Sequence, residues 1–547
     1  MFGKRVWTIS FVLMVVLASV LGMGEVGAAP LAQEGTVYTI QKDDNLWTLA
    51  EKYLGDGRAY LAIVDATNKK AKEDPTFATI VCVGLIQPGW KIMIPGAEEA
   101  AEFLATYAPP IMAGPARIKA WIIGPGPMPV TRATNLEEAT ARLNACGLWP
   151  QNVEVETLYS ELKWGPFSEK FFTACEAKEG PHIVTLKDIA RLADGGFIVP
   201  LDEHVEKYWN LGYDDIYPSM WDAVKYKAKE GPYAGEEHIW GIPQDATPAG
   251  IWYRKDVLRA LGYSDEDIAG MLPSTAEGVT TDNLAKLAKE AKEAGLVEWG
   301  VLHRPSAGDT VYIYMKIFGG RVYDPDEDKL VLTKSAALKA LQWFKELVDA
   351  GALPESPPEW SVIHKTFVDG KTLFTFASHV GTPSEWKEKY GLADEAFKND
   401  LGFMLFPKGV PGAEPMTTLG PLAYLVTKGC VKPEEESPEV AASLLLFASW
   451  REFMIKHTVQ TMRPPIAESA LYHPDLEKYE YAAYIRNITP MVGYAEDLPK
   501  HSDWGKYKGD VFEVIKAVEA GILTPEAAVE ELVKTLQADI PDIVIED

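Results

Sequence analysis

Residues 239–258 read IWGIPQDATPAGIWYRKDVL, and this stretch decides how the chain is assembled. An apolar run ends at Gly241 and Pro243, residue types that punctuate a strand end. Gln244 and Asp245 follow, then a Thr-Pro turn, then a second strand expected over 250–253. Arg254, Lys255 and Asp256 break that strand, and Val257, Leu258 and Leu261 begin a helical period. Two strands joined by a polar elbow can carry a chain from one lobe of a protein to another.

On both sides of the elbow, strands alternate with helices, the pattern of parallel α/β layers. Upstream, strands are expected over 118–123 (IKAWII), 153–158 (VEVETL) and 182–186 (HIVTL). Asn135 would cap the helix after the first, a helix near Ser168 would follow the second, and Asp188 opens the helix after the third. Downstream come a helix over 282–294, a strand over 299–302 and an amphipathic helix over 336–349 that Gly351 closes. Thr524 caps the last helix, with Pro525 at its first position. Ligands of such lobes sit beyond the carboxyl ends of the strands, here 124–128, 159–164 and 187–188.

These segments resemble, in order, those of the family-1 extracellular solute-binding proteins, the sugar-binding receptors of ABC importers. The resemblance spans about 118–547. It is carried by the 239–258 crossing, with Tyr253-Arg254 where the family has Tyr-Asn, by GFIVPLD at 196–202 and by Gly319-Gly320. It continues in FVDGKTLFTFASHVGTPSEW at 367–386, MTTLGPLAYLVT at 416–427 and TPEAAV from Thr524. It implies an α/β, two-lobed, periplasmic-binding-protein-like (type II) body with a hinge. Lobe 1 would hold about 118–246 and 418–470, and lobe 2 about 250–415 and 471–547. It also implies ABC permease subunits as partners and a monomer that binds without catalysis.

Composition is compatible with that reading. The 547 residues are 47% hydrophobic and 24% charged, as in an ordinary globular protein. At about 150 residues per domain, this length suggests three or four domains or lobes. A net charge of −26 would repel nucleic acid and anionic lipid. Sixteen Trp and 23 Tyr offer flat faces for stacking on sugars.

The first 28 residues read as a signal peptide: Lys4 and Arg5, an apolar run over 6–21, and Val26-Gly27-Ala28 at the cleavage site. With no Cys beside that site, a lipid tether is not expected. Residues 36–96 supply another means of retention. VYTIQKDDNLWTLAEKY at 37–53, Asn68 and LIQPGWKIMIP at 85–95 resemble a LysM domain, a β-α-α-β module. That resemblance implies binding of N-acetylglucosamine-containing peptidoglycan. Asn45 would cap its first helix, whose apolar face is Leu46, Leu49, Ala50 and Tyr53. Asp43-Asp44 replaces the family's Gly-Asp, and 70–83 lengthens one loop. Residues 97–117 read as a linker.

Of the cysteines Cys82, Cys146, Cys175 and Cys430, a Cys146–Cys175 disulfide suits an oxidising compartment. A doubly wound start, however, would put their helices on opposite faces of the sheet. Asp324, Asp326 and Asp328 have calcium-loop spacing, but Lys329 and Ser335 stand where such a loop needs Gly and Glu, so a hairpin is expected. Nine scattered histidines make no ligand pair, and neither a metal nor a cofactor is expected. Gly-x-Ser-x-Gly is absent and no Cys-His pairing is evident. A LysM-anchored cell-wall glycan hydrolase, or a receptor for a phosphorylated or cationic small molecule, are the alternatives.

Holding a pyranose takes concave aromatic faces and a few polar groups for its hydroxyls. At the strand ends and crossings the candidates are Trp164, Asp188, Gln244, Asp245, His303, Arg304, Trp360, His379, Trp386 and Arg463. For Asp245 and Arg304, an ion pair competes with a ligand contact. Trp240, Trp252 and Trp343 fall inside strands or a helix and read as core.

Overall fold

A computed structural model describes residues 35–547, apart from 43, 81–85, 107–112, 125–127, 147–150, 161, 163, 208–212, 214, 421 and 475. The expected signal peptide and Cys82 lie outside the described residues. The chain forms two compact units, one from the residues before 113 with 143–151, the other from 113–142 and 152–547. No helix among the described residues is long and apolar enough to cross a membrane.

In the N-terminal unit, strands Thr36–Thr39 and Lys91–Ile94 pair antiparallel. Between them lie helices Leu46–Leu54 and Tyr60–Ala71. Asn45 caps the first helix, its side chain accepting from the Thr48 N–H at 2.8 Å. Leu46, Leu49, Ala50 and Ile63 are buried with Ile92 and Ile94 against the two strands. Asn68 holds the lengthened loop, accepting from the Ile80 N–H at 2.6 Å and donating to the Ile80 carbonyl at 2.9 Å.

The larger unit is built on two sheets. The first runs Gln151–Ser160, Ala113–Ile123, Ile183–Leu186, Ala423–Val426, Ile242–Pro243. Its neighbours Ala113–Ile123 and Ile183–Leu186 are parallel, whereas Ala423–Val426 is antiparallel to both strands it touches. A strand arriving from far down the chain therefore sits inside the sheet, the type II arrangement. The second sheet runs Trp299–Leu302, Thr372–His379, Ala249–Arg254, Leu401–Met404. The 239–258 elbow leaves the first sheet at Pro243 and enters the second at Ala249, and 405–422 brings the chain back. Thr417 Oγ1 donates to the Ala249 carbonyl at 2.7 Å and ties the two crossings together.

Local signals explain most helix boundaries. Thr280 and Asn283 form a capping box ahead of Thr281–Glu293, and Thr524 caps Pro525–Asp539. Residues 324–328 turn tightly: Asp324 Oδ1 accepts from the N–H groups of Asp326 and Glu327, and the flanking strands pair as a hairpin.

Two expectations need correction. Asn135 is not a cap; helix Met128–Cys146 starts seven residues earlier, and the buried Asn135 amide donates to the Phe453 carbonyl at 3.2 Å. Cys175 bonds to Cys430 rather than to Cys146. Helix Trp164–Glu176 ends beside the turn that follows Ala423–Val426, where the Gly180 N–H donates to the Cys430 carbonyl at 2.8 Å.

Candidate functional site

The elbow and the return crossing run beside two clusters of charge. One is sealed. Asp245 is 1% exposed and accepts from Arg132 Nη2 at 2.8 Å. His457 Nε2 lies 2.9 Å from the same oxygen, and Arg463 Nε lies 3.7 Å from it. Burial alone would raise the Asp245 pKa, but Arg132, then His457 and Arg463, overcome it and hold the carboxyl well below the usual carboxylate range. Burial pushes His457 down to about 4, reinforced by Arg132 and opposed by its bond to Asp245. Gln244 is also buried, its Nε2 donating to Ser449 Oγ at 2.6 Å. The polar elbow is thus consumed in fastening the crossing to its own lobe.

The other cluster is open. Lys187 stands directly after strand Ile183–Leu186 of the first sheet, and its side chain remains 45% exposed. Its Nζ lies 4.0 Å from Asp309 Oδ2, on the loop after strand Trp299–Leu302 of the second sheet. Lys508, on helix Trp504–Glu519, donates to Asp309 Oδ1 at 2.7 Å. Gly420, with φ +44°, passes beneath; a Cβ there would stand 3.5 Å from Lys187 Nζ and 3.9 Å from Asp309 Oδ2. The return crossing and both lobes therefore meet at one ion bridge. Desolvation lowers the Lys187 pKa even though water reaches part of the side chain. Burial would raise Asp309, yet Lys508, Lys187 and Arg304 bring it down to about 2.

Aromatic rings flank this bridge. Lys187 Nζ lies 5.5 Å from the ring centre of Trp164, which is 37% exposed at the start of its helix. Arg304 stacks its guanidinium 5.4 Å from Trp360 and donates from Nε to the Ser306 carbonyl at 2.7 Å. A Cβ on Gly308 would displace that guanidinium from its present position. His379 ends strand Thr372–His379 with its Nδ1 buried and unpartnered. Burial, with Arg463 and Lys187 nearby, drives its pKa well below the ordinary histidine value.

Of the sequence candidates, Trp164, Arg304, Trp360 and His379 belong to this open cluster. Asp188 is exposed beside it, but its carboxylate accepts from the Arg191 N–H as a helix cap. Five positions lie outside this open cluster. Trp386 is fully buried, donating to His364 Nδ1 at 3.0 Å, because helix Thr382–Tyr390 turns it into the second lobe's core. His303 is 1% exposed, its Nε2 2.7 Å from Glu519 Oε1. Asp245 and Arg463 lie in the sealed cluster, and Gln244 is bonded to Ser449. Lys187, Asp309 and Lys508 were missed. Lys187 carried a signal, the strand-end position; Asp309 and Lys508 carried none. No group of three metal-ligating side chains occurs among the described residues.

Comparisons with known proteins agree with this architecture. The family described as bacterial extracellular solute-binding protein matches residues 150–453. A lactose-binding protein of Rhizobium radiobacter is 27% identical over 144 residues, 25% of this chain, so the chain spans about a third (32%) of that relative. Maltose-bound MalE3 of T. maritima superimposes with a TM-score of 0.59 at 19% identity, over 78% of this chain and all of its own. The GacH receptor of Streptomyces glaucescens GLA.O does so at 0.62 and 16% identity, over 79% and 100%. A ribitol-bound ABC transporter solute-binding protein of Agrobacterium radiobacter K84 scores 0.56 at 18%, over 79% and 99%. At such identities the likeness is one of fold.

Proposed function

The chain belongs to the bacterial extracellular solute-binding protein family, a family of binding proteins rather than enzymes, and from that premise we propose that it is the receptor of an ABC importer for a sugar or oligosaccharide. The ligand sits between the lobes, and the receptor passes it to membrane permease subunits. The observation that carries this reading is the open cluster, in which Lys187 from one lobe and Asp309, Arg304 and Trp360 from the other converge beside the crossings. Closure follows when a ligand touches both lobes and so favours the closed population. The names of similar proteins, which include lactose, maltose and ribitol binders, support a carbohydrate.

The N-terminal unit is, in this reading, a LysM domain that holds a monomeric, exported receptor on peptidoglycan. Trp47, 51% exposed and 6.1 Å from the Tyr60 ring, would offer a platform for N-acetylglucosamine. Sedimentation of the full chain with insoluble peptidoglycan, abolished by Trp47→Ala, would support the anchor; full retention by the variant would remove it.

A thermal-shift screen of the full chain against sugars, amino acids and polyamines tests the receptor. Ligand at 100 times its Kd stabilises by about 2.7 kcal/mol, enough to move the melting point visibly. A shift with carbohydrates alone is expected. A shift with amino acids or polyamines alone, or release of fragments from peptidoglycan, would overturn the assignment.

A further inference from the structure

We infer, resting on the carbohydrate-receptor reading, that the sugar is acidic: it carries a carboxylate or phosphate that seats between Lys187, Arg304 and Lys508. Three cations converge there on the single carboxylate of Asp309. The other acids nearby are already engaged. Glu496 is paired with Lys316 at 2.9 Å, Glu385 with Lys389 at 3.1 Å, and Asp188 caps its helix. Asp245 of the sealed cluster also acts on Lys187, but two arginines already share that one carboxylate. Among the described residues His379 pairs with no acid, and its Nδ1 is left without a bond.

In a chain of net charge −26, this is a local surplus of positive charge where the two lobes meet. Low-dielectric walls focus such a field on whatever enters. Hydroxyls of a neutral sugar would leave two cations partly desolvated and uncompensated when the lobes close. An anion turns the same groups into charge-assisted hydrogen bonds, the guanidinium offering two parallel donors to two oxygens. The tryptophans support this division of labour. Trp164 and Trp360 each lie against a cation, at 5.5 and 5.4 Å, and so hold Lys187 and Arg304 in place. Among the described residues Arg304 donates only from Nε, to Ser306, and makes no carboxylate pair.

Calorimetry on the full chain would compare matched pairs: digalacturonate with lactose, glucuronate-bearing disaccharides with maltose, and glucose 6-phosphate with glucose. At least one acidic member is expected to bind about tenfold or more tightly than its neutral counterpart. Its affinity should fall as ionic strength rises from about 0.05 to about 0.5 M. Lys187→Met and Arg304→Met should each weaken it about tenfold or more. Arg304→Lys, which retains charge but not the paired donors, should recover part of the loss. Preference for uronate or for phosphate identifies which anion the site takes. Neutral sugars binding as tightly as acidic ones, or substitutions that fold but leave affinity unchanged, would overturn the inference and leave the receptor standing. Binding of neither kind of sugar would remove both.

Discussion

Asp245 and Asp309 are both carboxylates gripped by more than one cation beside the interlobe crossings, yet they solve different problems. Asp245 is sealed from water with Arg132, His457 and Arg463 around it, and each partner comes from its own lobe or from the crossing. Asp309 remains 27% exposed at its side chain and links the two lobes through Lys187. A buried ion cluster fixes one arrangement, because removing a member strands the others in low dielectric. A half-open cluster can exchange its partners for a ligand. The same chemistry, moved a few ångströms toward water, passes from scaffold to candidate site.

Breaking the sealed member of the pair should cost most. Asp245→Ala leaves two buried arginines without an anion and is expected to lower stability by about 3–5 kcal/mol, read from urea unfolding. A cost near zero would mean that water reaches the cluster. Trp386→Ala, which empties the second lobe's core, should cost a similar amount, about 3–5 kcal/mol, with ligand affinity per folded molecule retained.

Acid should attack the sealed cluster next. His457 is held near 4, below the ordinary 6.5 of an unfolded chain. The unfolded state therefore takes up its proton first as pH falls, and the stability present above pH 6.5 is lost on the way down to about 4. The loss is on the order of 2–3 kcal/mol for this group, and His379 adds to it in the same direction. The urea midpoint should drop between pH 7.5 and 4.5, and His457→Gln should flatten that slope; an identical slope would place the titration elsewhere.

At the open cluster the effects move from stability to binding. Trp360→Ala removes the ring under Arg304 and should weaken ligand by about 1–2 kcal/mol while barely moving the melting point. The smallest stability effect belongs to Asp309→Asn, under about 1 kcal/mol because the group is partly solvated. It should also tighten an anionic ligand, the opposite sign to Lys187→Met. A large stability loss from Asp309→Asn would erase the distinction between the two clusters.

This contrast also marks how far sequence reading reaches. The elbow at 239–258 was legible because strand breakers and a polar pair lie next to one another. Helix caps such as Asn45 and Thr524 were legible because they act over three residues. Strand ends pointed to Lys187 and Asp188 together, and Asp188 proves to cap its own helix, as a short acid before a helix bonds its own backbone first. Trp386 and His303 misled for a related reason, since a residue type suited to a ligand is equally suited to a buried aromatic pair or ion pair. Lys508 could not have been found at all. It lies almost two hundred residues from Asp309, on a helix that has no strand end to mark it.

The position of Ala423–Val426 has a consequence for the order of events during synthesis. The second sheet draws all its strands from 249–404, whereas the first lacks an interior strand until residue 426 exists. Cys175 likewise waits for a partner 255 residues later. A chain made from its N-terminus therefore offers a complete central sheet for its second lobe while the first is still open. The earlier-made lobe is the one that must be finished last, with its edge unpaired in the meantime.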